Sequence, residues 1–174
     1  MTKMFFSLFV LINLSWACTN ANPPAPVEEE AVVQGTIFLV RHAEKQEGDD
    51  PALTEAGQAR AQSLASMLEA VQVDAIFSTD YQRTQQTAAP LAEQKALDVQ
   101  SYDARKLPEF AEQLRTNYAG KTVVVVGHSN STPTLTGLID GTEAHEKFDE
   151  SDYGNIMLVQ LSSSGAAKTH RLRF

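Results

Sequence analysis

Two uninterrupted apolar runs, Thr36-Ile37-Phe38-Leu39-Val40 and Thr122-Val123-Val124-Val125-Val126, do most to limit what this chain can fold into. Both are short and rich in β-branched residues, the composition of a buried strand. Each is followed at once by residues that can do chemistry. The first ends in Arg41-His42 and continues through Ala43-Glu44-Lys45; the second ends in Gly127-His128-Ser129. In open α/β sheets, ligands bind beyond the carboxyl ends of the strands. Two such strands would deliver two histidines to one sheet edge. Two imidazoles and an arginine suit a phosphoryl group, one attacking and the others neutralising charge.

The rest of the sequence alternates in the same way. A polar loop spans Gln46 to Pro51, and Thr54 is placed as the N-cap of a helix with Gly57 in its first turn. Leu64, Met67, Leu68 and Val71 recur at helical spacing. Asp74 to Ser78 reads as a strand, Tyr81 to Gln94 as a helix, Asp98 to Tyr102 as a strand, and Leu107 to Tyr118 as a helix closed by Gly120. A helix is expected near Thr132-Pro133, then strands at Asn155 to Leu161 and His170 to Phe174. This order predicts a three-layer α/β/α domain with a mostly parallel central sheet.

With 174 residues, the chain has enough length for one domain with a substantial core. Its net charge of −8 argues against a nucleic-acid partner, so an anionic substrate would need a local positive cluster. The single cysteine, Cys18, rules out an intramolecular disulfide and a cysteine-based zinc site. Residues 1–17 read as a signal peptide: a short positive start, then the apolar run Met4 to Leu14, too short to span a bilayer. Cys18 follows Ala17 directly, which resembles a bacterial lipoprotein signal with Cys18 as the lipidated first residue; plain cleavage after Ala17 is the alternative. Residues 18–31, with three prolines and Glu28-Glu29-Glu30, read as a disordered tether, and the folded domain is expected over 32–174. The expectation is an exported protein of the periplasm or cell envelope, associated with the membrane through a lipid where Cys18 is modified.

His42 is the leading candidate nucleophile, because a neutral imidazole can attack phosphorus and split one hard displacement into two easier ones. An isolated Arg-His pair is more often a packed histidine beside a surface arginine. Here it has distant companions. Arg83 lies about one turn into the helix that follows Ser78, where free N–H groups and the helix dipole favour an anion. There it can fork onto phosphate oxygens, although alone it would read as a solvated helix arginine. His128 is the third member of the set.

Arg41-His42, the Ser78-x-x-x-x-Arg83-Thr84-x-x-Thr87-Ala88 segment, Gly127-His128-Ser129 and the Leu53-Thr54-Glu55-Ala56-Gly57 stretch together resemble the histidine phosphatase superfamily, also called phosphoglycerate mutase-like. The resemblance runs from about Thr36 to the C-terminus. It implies a phosphoglycerate mutase-like fold and a phosphomonoesterase that forms a phosphohistidine on His42. Arg41, Arg83 and His128 would bind the phosphoryl oxygens and Ser129 would contribute to substrate binding, with no metal and no cofactor. Short spacings between His42, Arg83 and His128 leave no room for long lid insertions and point to the family's short branch, with an open site.

The proton donor is less determined. Departure of an alkoxide needs a general acid. Glu44 is the first candidate, since its place is fixed by the motif; Glu109 is the second and Asp152 the third. Each also reads as a solvated surface carboxylate. His145 and His170 read as surface residues. The acidic stretch from Thr142 to Asp152 is expected to be a solvated loop at the site rim, with Glu143, Glu146 and Glu150 repelling polyanions. The expected substrate is a small-molecule or envelope phosphomonoester. A non-catalytic phosphate-binding module is the alternative from another class.

Overall fold

The computed structural model describes residues 33–143 and 145–174. The signal segment 1–17, the tether 18–31 and the lipidation candidate Cys18 lie outside the described residues. Six strands and four helices follow in the order β1 (Val33–Arg41), α1 (Glu55–Met67), β2 (Ala75–Ser78), α2 (Gln82–Lys95), β3 (Val99–Ser101), α3 (Leu107–Asn117), β4 (Thr122–Gly127), α4 (Ser131–Asp140), β5 (Asn155–Ser162) and β6 (Ala167–Arg173).

The strands form one sheet in the order β3-β2-β4-β1-β5-β6. The β3, β2, β4 and β1 neighbours run parallel, whereas β5 and β6 are antiparallel to their neighbours. Side chains alternate across the central strands, and this alternation builds the layers. Ile37, Leu39, Phe77, Val123 and Val125 pack against Leu107, Phe110 and Leu114 of α3 and Leu135 and Ile139 of α4. On the other face Phe38, Val40, Ile76, Val124 and Val126 pack against Leu64, Ala65 and Leu68 of α1 and Ala88 and Leu91 of α2. This is the expected three-layer α/β/α arrangement.

Most element boundaries agree with the sequence reading to within a few residues. Thr54 caps α1 as expected, its hydroxyl accepting from the Gly57 N–H at 3.1 Å. Gly57 also lets the helix start press against the preceding segment: a Cβ there would stand 2.1 Å from the Glu44 carbonyl oxygen. Gly120 does not close α3, which ends at Asn117; it makes a turn beyond the helix, with φ +78. Strand β6 starts at Ala167 rather than His170, because a tight turn through Gly165 (φ +80) pairs Ala167 with Leu161. Its largely polar, exposed sequence gives no apolar period from which to read that start.

Candidate active site

The parallel pairing of β1 with β4 places Arg41 opposite Gly127. The next residue on β1's side, His42, donates its backbone N–H to the Gly127 carbonyl at 2.9 Å. Both histidines therefore leave the sheet side by side, with ring centroids 5.6 Å apart. Gly127 is needed for this crowding, since a Cβ would fall 2.7 Å from the Tyr102 hydroxyl and 2.9 Å from Thr132 Oγ1.

His42 is only 3% exposed. Its Nδ1 lies 2.8 Å from the Ala43 carbonyl, which can only accept, so Nδ1 carries the hydrogen and Nε2 keeps a free lone pair. Burial pushes this imidazole down to about 4; the Ala43 carbonyl opposes the fall, and Arg41, His128 and Arg83 add to it. His42 is thus neutral at pH 7, the form a nucleophile requires. The segment is held to α2 as well: the Ala43 N–H donates to Thr87 Oγ1 at 2.9 Å, and Thr87 donates to the Arg83 carbonyl.

His128 is half-buried, and burial followed by the charges of Arg83 and Arg41 lowers it to about 4 too. Its Nε2 lies 3.0 Å from Thr79 Oγ1, which in turn is 2.9 Å from Thr84 Oγ1. Arg83 stands at the start of α2 with its guanidinium 4.3 Å from the Tyr81 ring centre and 3.7 Å from Asp50. Asp50 also accepts the Gln82 N–H at 2.9 Å, capping the amino end of α2. The Nε–H groups of Arg41 and Arg83 are buried and meet no acceptor among the described residues. Unpaired buried donors of this kind are costly unless an anion arrives to accept from them.

These groups face a cavity of about 480 Å³. His42, Arg83, His128 and Ser129 line it, together with Lys45, Arg105 and the α4 amino end at Asn130, Ser131 and Thr134. Arg41 is not on the wall. Its Nη1 donates to the carbonyls of Asp149 and Glu150 at 2.8 and 2.9 Å, and its Nη2 to Glu150 Oε2 at 2.8 Å. Its guanidinium lies 4.1 Å from the Tyr153 ring centre. The acidic stretch is therefore not simply a solvated loop. Arg41 holds its backbone, and Phe148 within it is buried and donates its N–H to the Ser129 carbonyl.

None of the three candidate acids is placed to donate a proton here. Glu44 receives three hydrogen bonds from Arg60 at 2.7 to 2.9 Å, and that contact holds its carboxyl below the usual range. Glu109 is exposed and borders a separate groove with Ser101 and Asp103. Asp152 is pulled down to about 2, chiefly by Arg173. Among the described residues the one carboxylate on the cavity wall is Glu150, and Lys147, Ser129 and Arg41 keep it ionised. His145 and His170 prove half-buried, and His145 lies 2.7 Å from Asp140. Among the described residues no group of three or more His, Cys, Asp or Glu side chains is placed to hold a metal ion.

Sequence reasoning missed Thr79, Thr84, Lys45, Arg105 and the part played by Glu150. Thr84 and Thr87 follow Arg83 at fixed spacing in the Ser78–Ala88 segment, and that spacing is the signal by which they can be found. Glu150 gave none, because its contact with Arg41 spans more than a hundred positions of sequence.

The family described as histidine phosphatase superfamily (branch 1) matches residues 37–109, a stretch that includes Arg41, His42 and Arg83. Solved structures share the fold at low identity. The alpha-ribazole phosphatase from Shigella flexneri has a TM-score of 0.67 and 16% identity, over 80% of this chain and 96% of that one. The protein histidine phosphatase SixA complexed with tungstate has 0.62 and 16%, over 79% and 96%. The phosphoserine phosphatase from Entamoeba histolytica in complex with 3-phosphoglyceric acid has 0.64 and 17%, over 80% and 97%. No curated protein sequence matches the chain.

Proposed function

We propose that this chain, which matches the histidine phosphatase superfamily over residues 37–109, is a metal-independent phosphomonoesterase working through a phosphohistidine on His42. The observation that carries the reading is the state of His42: buried, neutral, and tied at Nδ1 so that the Nε2 lone pair is free.

The chemistry follows from that pair of nitrogens. Nε2 attacks phosphorus in line with the ester oxygen; the N–P bond forms as the P–O bond breaks. Negative charge on the equatorial oxygens is met by Arg83 and by the α4 amino end, with Arg41 adding its positive charge from behind the wall. When the Thr79 hydroxyl donates to Nε2 of His128, the hydrogen of that ring sits on Nδ1 and is available to a phosphoryl oxygen. Water then attacks phosphorus, the N–P bond breaks, and His42 and inorganic phosphate are released.

Among the described residues the cavity wall carries no carboxylate held in the protonated form, so on this reading the leaving group departs with little help. This favours substrates with stable leaving groups, among small-molecule or envelope phosphoryl compounds. Export through residues 1–17 and lipidation of Cys18 belong to the same proposal, supported by the signal-like sequence. Mass spectrometry of the mature N-terminus would detect the lipid or its absence.

The missing acid also favours a second reading, a phosphate-binding module without turnover. One experiment separates them: the full chain with an aryl phosphate in chelator, wild type against His42→Ala, with acid-quenched protein tested for bound phosphate. Turnover and a covalent phosphoryl group, both lost in the variant, support the phosphatase. A folded wild type that binds phosphate without turnover supports the module.

A further inference from the structure

The contact between Arg41 and Glu150 occupies donors that the site would offer to a substrate. Two groups assigned to substrate, Arg41 and Ser129, are both engaged by a single carboxylate. Glu150 Oε2 accepts from Arg41 Nη2 at 2.8 Å and Oε1 accepts from Ser129 Oγ at 2.9 Å. Lys147 completes the set, its Nζ 2.9 Å from Oε1. Glu150 lies on the wall of the cavity that His42, Arg83 and His128 also line. Arg41 immediately precedes His42 yet does not reach that wall; it is 2% exposed, and Glu150 stands on its outward nitrogen.

A carboxylate bridging a guanidinium and a hydroxyl presents the oxygens that a phosphoryl group would present to the same donors. We infer that Glu150 is a resident stand-in for phosphate at the Arg41–Ser129 subsite, and that a substrate must displace it, so this residue sets how weakly dianions bind. The inference rests on the phosphatase reading for what the site binds. Two contrasts within the loop support it. The backbone is clamped independently, by Arg41 Nη1 on the carbonyls of Asp149 and Glu150 and by Phe148 on Ser129. The Glu150 side chain, by contrast, is 66% exposed, so it can swing into solvent while the loop stays in place. Coulomb repulsion adds to steric competition, because an ionised carboxylate beside an incoming dianion raises its cost of binding.

The test is Glu150→Gln in the full chain, with Glu150→Ala as a second variant, titrated with inorganic phosphate by calorimetry at pH 7. Both variants keep the backbone clamp from Arg41 Nη1 and Phe148, so each should stay folded with its melting temperature lowered by only a few degrees. Phosphate should bind about tenfold tighter to each, a gain of about 1.4 kcal/mol. KM for an aryl phosphate should fall by a similar factor, with kcat changing less. Unchanged or weaker phosphate binding in both variants overturns the inference and makes Glu150 a positioning residue for Arg41. Because calorimetry reads binding alone, tighter phosphate binding with no turnover in any form would sustain this inference while sinking the phosphatase reading.

Discussion

The hydroxyl oxygen of Thr79 lies 3.0 Å from Nε2 of His128 and is that nitrogen's one hydrogen-bond partner among the described residues. Thr79 is itself 3% exposed and fixed by Thr84, whose hydroxyl is 2.9 Å away. The orientation of the second histidine therefore depends on a buried hydroxyl pair. Thr79→Val keeps the shape and removes both hydrogen bonds. Under the phosphatase reading kcat should fall by about tenfold, the worth of one buried hydrogen bond, while Thr79→Ser recovers most of it. Equal activity in the valine and serine variants would remove Thr79 from the mechanism.

Protonation of His42 should be visible in both rate and stability. Burial lowers its folded-state value from 6.5 to about 4. The unfolded chain therefore binds a proton between these limits that the native state refuses. Stability is full above pH 6.5 and falls as the pH drops toward 4. Between pH 7 and 5 the loss from this residue is about 2 kcal/mol. Urea titrations should show a smaller difference between these pH values for His42→Gln than for wild type. The acid limb of kcat/KM, corrected for substrate ionisation, should lie near pH 4; a limb at 6.5 would contradict a neutral buried nucleophile.

Arg83 should not be replaceable by lysine. Its buried Nε–H lacks an acceptor, and a lysine ammonium offers a point charge without that fork. Arg83→Lys is expected to lower kcat/KM on an aryl phosphate by about a hundredfold, the scale of one lost oxyanion contact. Stability should change little, since the side chain's partners are the half-exposed Asp50 pair at 3.7 Å and the exposed Tyr81 ring, both of which a lysine can still approach. A variant within threefold of wild type would place the anion elsewhere.

Glu44 should matter to the fold and not to proton transfer. Glu44→Gln weakens the contact with Arg60 and should destabilise the domain by about 1 kcal/mol, with kcat on poor leaving groups unchanged. A selective loss on poor leaving groups, with aryl phosphate turnover kept, would restore Glu44 as the acid. Gly57→Ala probes the same junction from the helix side. Its Cβ would meet the Glu44 carbonyl at 2.1 Å, so a loss of about 3 kcal/mol is expected.

The strands and the histidine pair were legible because they rest on local signals. Apolar runs such as Val123 to Val126 leave few alternatives to a buried strand, and a residue following such a run must emerge at the sheet edge. Arg41, His42, Arg83 and His128 are brought together at one end of the sheet, Arg41 behind Glu150. The acid candidates misled because their surroundings come from distant parts of the chain. Glu44 meets Arg60 from α1, and Asp152 meets Arg173 from β6. No periodicity encodes these pairs, and each neutralises a carboxylate that looked free. Gly120 departs from the expected helix cap for a local reason: a glycine past a helix satisfies several turn geometries equally well.

The backbone bond from His42 to Gly127 has a consequence for how this protein fails. The spacing of the two imidazoles is held by the pairing of two central strands, the part of a sheet that opens last. Loosening of the helices, the acidic loop or β6 would leave that spacing intact. Heat inactivation should then follow global melting rather than precede it, and a preparation losing activity well below its melting temperature would be losing Arg83 or the loop, not its nucleophile.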